Sequence, residues 1–182
     1  MLLPYAFLMT NTTLVITFVG PDRPGLVDAV SRIISREQGN WMASRLAHLG
    51  GQFAGMVQIS LPSDRVEALQ ESLSELEKEG LTVLTKTDSE GAPTSSEAGT
   101  EATFEIIGQD RPGIVRAIAR TLSQHQVNVE ELTSERESAA MSGENLFRAK
   151  ARVRIPGDCP IQKLQEDLES LAAELMVDLT LD

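Results

Sequence analysis

The segment Val19–Trp41 of this 182-residue chain recurs 88 residues later as Ile107–Val129. Eleven of the 23 aligned positions are identical, and the offset never changes (110 − 22 = 88). Several of the other differences exchange one aliphatic side chain for another. Such self-similarity marks a duplicated structural unit, so whatever one copy folds into, the other must also fold into. A chain of this length divided in two leaves roughly 80–90 residues per copy, enough for a small hydrophobic core.

Each copy gives the same succession of patterns. Thr13–Val19 and Ala102–Ile107 are short runs rich in β-branched, aliphatic or aromatic residues, which predicts strands. The turns Gly20-Pro-Asp-Arg and Gly108-Gln-Asp-Arg follow, then Pro-Gly. After them come helical spacings: Leu26, Val30, Ile33 and Ile34, matched by Ile114, Ile118 and Leu122. Proline suits a first helical turn, where its missing N–H costs nothing, and the aspartate is expected within a residue or two of the N-cap.

Two further strands are expected in each copy. They meet at Gly50-Gly51 in the first, a two-residue hairpin signal, and across a longer polar loop, Ser138–Asn145, in the second. A second helix carries Val66, Leu69, Leu73 and Leu76, or Ile161, Leu164, Leu168, Leu171 and Leu175, with Gly80 as a stop in the first copy. Leu81–Thr87 and Met176–Leu181 read as closing strands. The order β-α-β-β-α-β is the split βαβ, ferredoxin-like plan: an α+β unit with a four-stranded antiparallel sheet and two helices on one face.

Domain one is assigned to residues 10–88, a linker to 89–100 and domain two to 101–182. The stretch Asp88–Thr100 is rich in Ser, Gly, Thr and Glu and lacks any large apolar side chain, so it has nothing to bury against the entropy of ordering. The first nine residues, MLLPYAFLM, are apolar but too short to span a bilayer, and they lack a basic start and a small-residue cleavage site. They are expected to be an N-terminal extension, or a matter of start choice with Met9 as the alternative start. No later segment is long and apolar enough to be transmembrane, and a cytoplasmic protein is expected.

Charge narrows the choice of partners. The net charge is −11: residues 1–88 carry 7 basic and 10 acidic side chains, and residues 89–182 carry 9 and 17, giving −3 and −8. Phosphate backbones and anionic membranes repel such a surface, so no direct nucleic acid or membrane contact is expected. A single cysteine, Cys159, excludes an intramolecular disulfide, and beside Pro160 it reads as a small turn residue rather than a nucleophile. With only His48 and His125 as histidines, no metal site is expected, and no cofactor is implied.

The Asp-Arg-Pro-Gly turn is the most informative feature: Asp22, Arg23 and Gly25 return as Asp110, Arg111 and Gly113. A helix N-terminus offers free N–H groups and partial positive charge, and glycine allows close approach, so a small carboxylate would fit there. The plain alternative is local: Asp caps the helix, Gly turns the chain and Pro starts the helix. Neither the Asp-Arg pair nor its retention in both copies is needed for that. Asn40 and Asn128 stand at equivalent positions before the second strand, where they are expected near the turn. An amide there could donate to a carboxylate and accept from an ammonium. The plain alternative is a left-handed turn residue.

The stretch Leu146–Ile155 alternates, with Arg148, Lys150, Arg152 and Arg154 on one face. It would be a central strand, and its neighbours carry Glu101, Glu105, Glu131, Glu135 and Glu137 at matching parity, so cross-strand ion pairs account for both signs. The stacking aromatics of an RNA-binding sheet are missing beside it.

At G-x-D-R-P-G the unit resembles the ACT domain, a small regulatory module that typically binds amino acids. A tandem pair carrying Asp-Arg-Pro-Gly twice is similar to the glycine cleavage system transcriptional repressor family, over about residues 12–87 and 101–181. The motif also occurs in ACT units attached to formyltetrahydrofolate deformylases and uridylyltransferase-type sensors.

The resemblance implies a regulatory protein, not an enzyme. It would bind a small, glycine-like amino acid between ACT units through Gly20, Asp22, Arg23, Gly25 and Asn40, with Gly108, Asp110, Arg111, Gly113 and Asn128. It further implies a protein partner in transcription regulation; the charge difference makes the acidic second copy the first candidate for that contact, and open sheet faces and edges favour a homodimer or an intramolecular pair of units. Two alternatives stand beside it. One is an acylphosphatase-like hydrolase using Arg23 and Asn40, although the glycine-rich loop of that chemistry is absent. The other is an unliganded interaction scaffold.

Overall fold

The structure is a computed structural model describing residues 10–87, 99–138 and 145–181. The chain divides into two compact units between Ala92 and Pro93. In the first, β1 (Asn11–Pro21), α1 (Leu26–Arg36), β2 (Asn40–Leu49), β3 (Gln52–Pro62), α2 (Val66–Ser74) and β4 (Thr82–Thr87) follow one another. The second repeats the plan with β5 (Thr100–Gln109), α3 (Ile114–Gln124), β6 (Asn128–Ser138), β7 (Asn145–Ile155), α4 (Ile161–Leu175) and β8 (Val177–Leu181). The sheets are antiparallel, in the orders β2-β3-β1-β4 and β6-β7-β5-β8, as the ferredoxin-like plan requires.

Strand and helix periodicities meet in one core per unit. Alternate residues of β1 (Leu14, Ile16, Phe18) and β3 (Val57, Ile59, Leu61) face α1 through Leu26, Val30 and Ile34, and α2 through Leu69 and Leu73. In the second unit Phe104, Ile106, Ala149, Ala151, Val153 and Ile155 face Ile114, Ile118, Leu122, Leu164 and Leu168. Gly50 and Gly51 both take positive φ (57° and 75°), the geometry of a tight two-residue hairpin.

Several boundaries differ from expectation. β5 opens at Thr100, one residue inside the stretch assigned to the linker; residues 89–98 of that stretch lie outside the described residues, as do Asp88, residues 1–9 and the loop 139–144. Met176 is not strand: it caps α4 at φ 54° and so turns the chain into β8. α2 ends at Ser74 and continues as a 3-10 turn, Glu75–Glu79, that carries Leu76 and stops at Gly80 with φ 87°. The left-handed residues after α1 and α3 are Gln38 and Gln126, not Asn40 and Asn128. Both close Schellman motifs: Gly39 and Val127 N–H donate to Ile34 and Leu122 carbonyls at 2.8 and 2.9 Å, and Gln38 and Gln126 N–H donate to Ser35 and Ser123.

Gly20 and Gly108 sit where the central strand crosses the entry to the edge strand. A Cβ on Gly20 would stand 2.7 Å from the Gly80 carbonyl oxygen and 3.2 Å from Leu81 Cα; on Gly108 it would stand 2.9 Å from Val177 Cα. Those neighbours are backbone and cannot rotate away. Gly108→Ala is therefore expected to lower stability by about 1–3 kcal/mol through overpacking. Gly157→Ala, where a Cβ meets nothing within 4 Å, should change it by less than about 0.5 kcal/mol. Urea denaturation of the full chain compares the two.

Candidate functional site

The β1–α1 turn is anchored from its backbone. Asp22 N–H donates to the Gly51 carbonyl at 3.0 Å, and Asp110 N–H donates to Asn145 at 2.9 Å. The first turn is thus tied to the β2–β3 hairpin and the second to the start of β7. The chain then enters the helix through Gly25 (φ 91°) or Gly113 (φ 99°), which occupy the N-cap position themselves. A Cβ on either would meet nothing within 4 Å; the requirement for glycine there is conformational, and the space beside it is open.

The local alternative for the aspartate fails on this geometry. Among the described residues neither helix has a side-chain cap hydrogen bond, Asp22 lies three positions before Gly25, and Pro24 and Pro112 precede the cap rather than start the helix. The carboxylates point instead at the end of the neighbouring edge strand. His48 Nδ1 lies 2.6 Å from Asp22 Oδ2, and Arg136 Nε lies 3.1 Å from Asp110 Oδ2. His48 and Arg136 are themselves equivalent by the repeat (136 − 48 = 88). Sequence reading missed both, although the constant offset was the signal that could have found them.

The arginines do not pair with the neighbouring aspartates. Arg23 is bound by Glu79, and Arg111 donates to Gln109 Oε1 at 2.9 Å. In the first unit Asp22, Arg23, Gly25, Leu26, Val27, Asp28 and Phe53 line an open cleft beside the helix end. Ala29 N–H is satisfied by the Gly25 carbonyl at 2.9 Å, and the amides before it have no acceptor within the helix. The open helix amides and the Asp22 carboxylate on the cleft offer places for the carboxylate and the ammonium of a small zwitterion.

Neither Asn40 nor Asn128 lies beside the turn of its own unit. Asn40 pairs with Ser60, which pairs with Thr13 at the start of β1. Gly20 pairs with Phe53, which faces His48 at the end of β2. From the Thr13 row to the Gly20 row is about 23 Å along the strand. Asn128 is placed likewise, opposite Arg154 and Glu101, far from Gly108. One small ligand cannot touch both features within one unit, nor could Arg23 and Asn40 of one unit act on a common phosphate.

The basic face of β7 is balanced by acidic neighbours. Arg148 meets Glu105 at 2.7 Å and Glu137 at 3.5 Å; Arg152 meets Glu101 at 3.2 Å and Glu131 at 3.3 Å. The hydrogen bond from Arg148 to Glu105 and the carboxylates around it hold that guanidinium above the usual arginine range. Glu130, unremarked in the sequence, bridges Arg152 and Arg154 at 3.4 and 2.6 Å because a β-bulge at that point turns it toward this face. Cys159 packs against the second core, and burial together with Asp158 pushes its thiol up, away from the reactive thiolate.

Since the Asp22 and His48 side chains are both well exposed, Asp22→Ala is expected to cost less than about 1 kcal/mol of stability. A larger loss, measured by chemical denaturation, would restore a structural role for the aspartate.

Comparison with known proteins adds an independent line. The ACT domain family model matches residues 12–86 and 104–182. The glycine cleavage system transcriptional repressor of Escherichia coli is 26% identical over 168 residues, covering 91% of this chain and 85% of that protein. A crystal structure of an unknown protein from Galdieria sulphuraria superposes with a TM-score of 0.84 at 29% identity, over 95% of this chain and 98% of that one. A solved structure named for the glycine cleavage system transcriptional repressor gives 0.68 at 24% identity, over 94% and 96%, and bears on the fold alone. Two βαββαβ units and these matches make the chain a member of the ACT domain family, a tandem regulatory protein related to the glycine cleavage system transcriptional repressor.

Proposed function

We propose that this chain is an amino-acid sensor that regulates gene expression through a protein partner. The observation that carries the reading is the duplicated turn, whose aspartate is held in place by its backbone and left exposed by its side chain. The open amides at the start of α1 would take the ligand carboxylate. The Asp22 carboxylate, on the rim of the same cleft, would take its ammonium. Glycine is the first ligand to test, because the Escherichia coli relative is a glycine cleavage repressor and the cleft is open and shallow. The net charge of −11 disfavours direct binding to DNA and favours action on another protein, in the cytoplasm, with the −8 half the first candidate for contact.

A panel of amino acids screened by calorimetry and thermal melting of the full chain tests the reading. A ligand at 100 times its Kd should stabilise its unit by about 2.7 kcal/mol. Asp22→Ala together with Asp110→Ala should abolish that shift while leaving the unliganded melt nearly unchanged. If no amino acid gives heat or shifts the melt, the chain is not a sensor of this kind and an unliganded scaffold becomes the better description.

A further inference from the structure

The two turns carry opposite charge. Around the first, Arg23 is bound by Glu79, Arg32 is bound by Asp28, and Asp22 lies against His48. In the second copy the places of Asp28, Arg32 and His48, each 88 residues on, are taken by Arg116, Arg120 and Arg136. Arg111 donates to Gln109 Oε1 at 2.9 Å where its counterpart Arg23 has a carboxylate. Among the described residues Asp110, 3.1 Å from Arg136, is the one acidic group that any of these four arginines meets. With His48 neutral, two arginines and three carboxylates give the first turn −1 (2 − 3), while four arginines and Asp110 give the second +3 (4 − 1).

Folding does not ask for this charge. Gly113 caps α3, so Arg116 stands third in the helix, within the first turn, where the backbone dipole disfavours a cation. Arg120 follows at i+4, so two like charges replace the ion pair of the first copy. The contact between Asp28 and Arg32 shows that side chains at these two places reach each other. Asp28 also lines the cleft with Asp22 and Arg23, which puts its counterpart Arg116 beside Asp110 and Arg111. Three arginines thus border one turn, in the half of the chain that carries −8.

We propose that the second turn is a binding site for a small polyvalent oxyanion, of the pyrophosphate or tricarboxylate kind, held by Arg111, Arg116 and Arg136. The site is separate from the amino-acid reading above, because it needs the arginines of one copy and not the turn shared by both. Guanidinium forks take phosphate or carboxylate oxygens two at a time, so several of them suit a ligand with several charged oxygens. The ammonium of an amino acid would be repelled by the same groups. Range decides against an acidic protein or a nucleic acid as the occupant. At physiological ionic strength fields reach about 8 Å. A small anion therefore feels mainly the arginines, whereas an extended polyanion also meets the acidic surface around them.

Inorganic pyrophosphate is the probe, titrated by calorimetry into the full chain with no amino acid present. It should bind saturably, raise the melting temperature, and bind less tightly when sodium chloride is raised from about 50 to 200 mM. Arg116→Asp rebuilds the Asp-then-Arg pairing of the first copy, so the unliganded variant should melt at or above the parent's temperature. It should also weaken pyrophosphate at least about ten-fold, the scale of two charge units reversed within a few ångströms of the ligand. Lys86→Glu, an exposed position in the first unit, shifts the net charge equally and should weaken binding less than about two-fold. Three results overturn the site: no saturable binding, an equal loss in both variants, or an Arg116→Asp chain that melts below the parent. A penta-glutamate peptide that binds more tightly than pyrophosphate overturns the small-anion assignment.

Discussion

Two helices can cover only one face of a four-stranded sheet, and everything else in each half of this chain is arranged around that burial. The central strands β1 and β5 present alternate residues to the helices and must pass close to the start of β4 or β8 on the way out. At that crossing the backbones come too near for any Cβ, which is why Gly20 and Gly108 are glycines. Their recurrence in the Gly-x-Asp-Arg-Pro-Gly pattern is thus a packing demand and not itself a mark of ligand contact. The binding reading rests on the residues that follow, for which the core has no use.

Those residues are placed by the same burial. Once β1 ends, the chain must reverse onto the covered face within a few residues, and the left-handed Gly25 and Gly113 make the reversal possible without a side-chain cap. The Asp22 amide ties its turn to the β2–β3 hairpin, and the Asp110 amide ties its turn to the start of β7. The backbone is therefore fully determined, while the carboxylate is left free to face the end of β2 or β6. The fold thus fixes the backbone of each turn and leaves its carboxylate to one exposed pairing, with His48 or Arg136, that adds little to stability.

The sequence made the fold legible because period-two and period-3.6 patterns occurred twice in the same order, and the ion pairs on the open face of the second sheet followed from parity along β7. The site was less legible, for two reasons of geometry. α1, 11 residues long, carries the chain about 16 Å back along the sheet. Whatever follows it therefore starts at the far end, and Asn40 could not lie by the turn of its own unit; the partner of the turn had to come from the other end of β2. The left-handed cap was invisible because Pro-Gly resembles an ordinary helix start, and only φ values of 91° and 99° show that the glycine, not the aspartate, occupies the cap.

Duplication leaves each copy free to change what the core does not constrain. The open face of the first sheet exposes Val19, Met56 and Leu84, whereas that of the second is a lattice of arginines and glutamates. Even the bulges diverge within identical geometry. Met42 and Glu130 occupy the same irregular point of the edge strand, the first exposing a thioether and the second bridging two guanidiniums. A sheet face satisfied by its own ion pairs gains little from being covered, because desolvating those charges would cost more than new contacts return. An apolar face gains from any surface that excludes water from it. The acidic half thus accounts for most of the repulsion from nucleic acid, and a protein partner that meets it would do so away from its ion-paired sheet face.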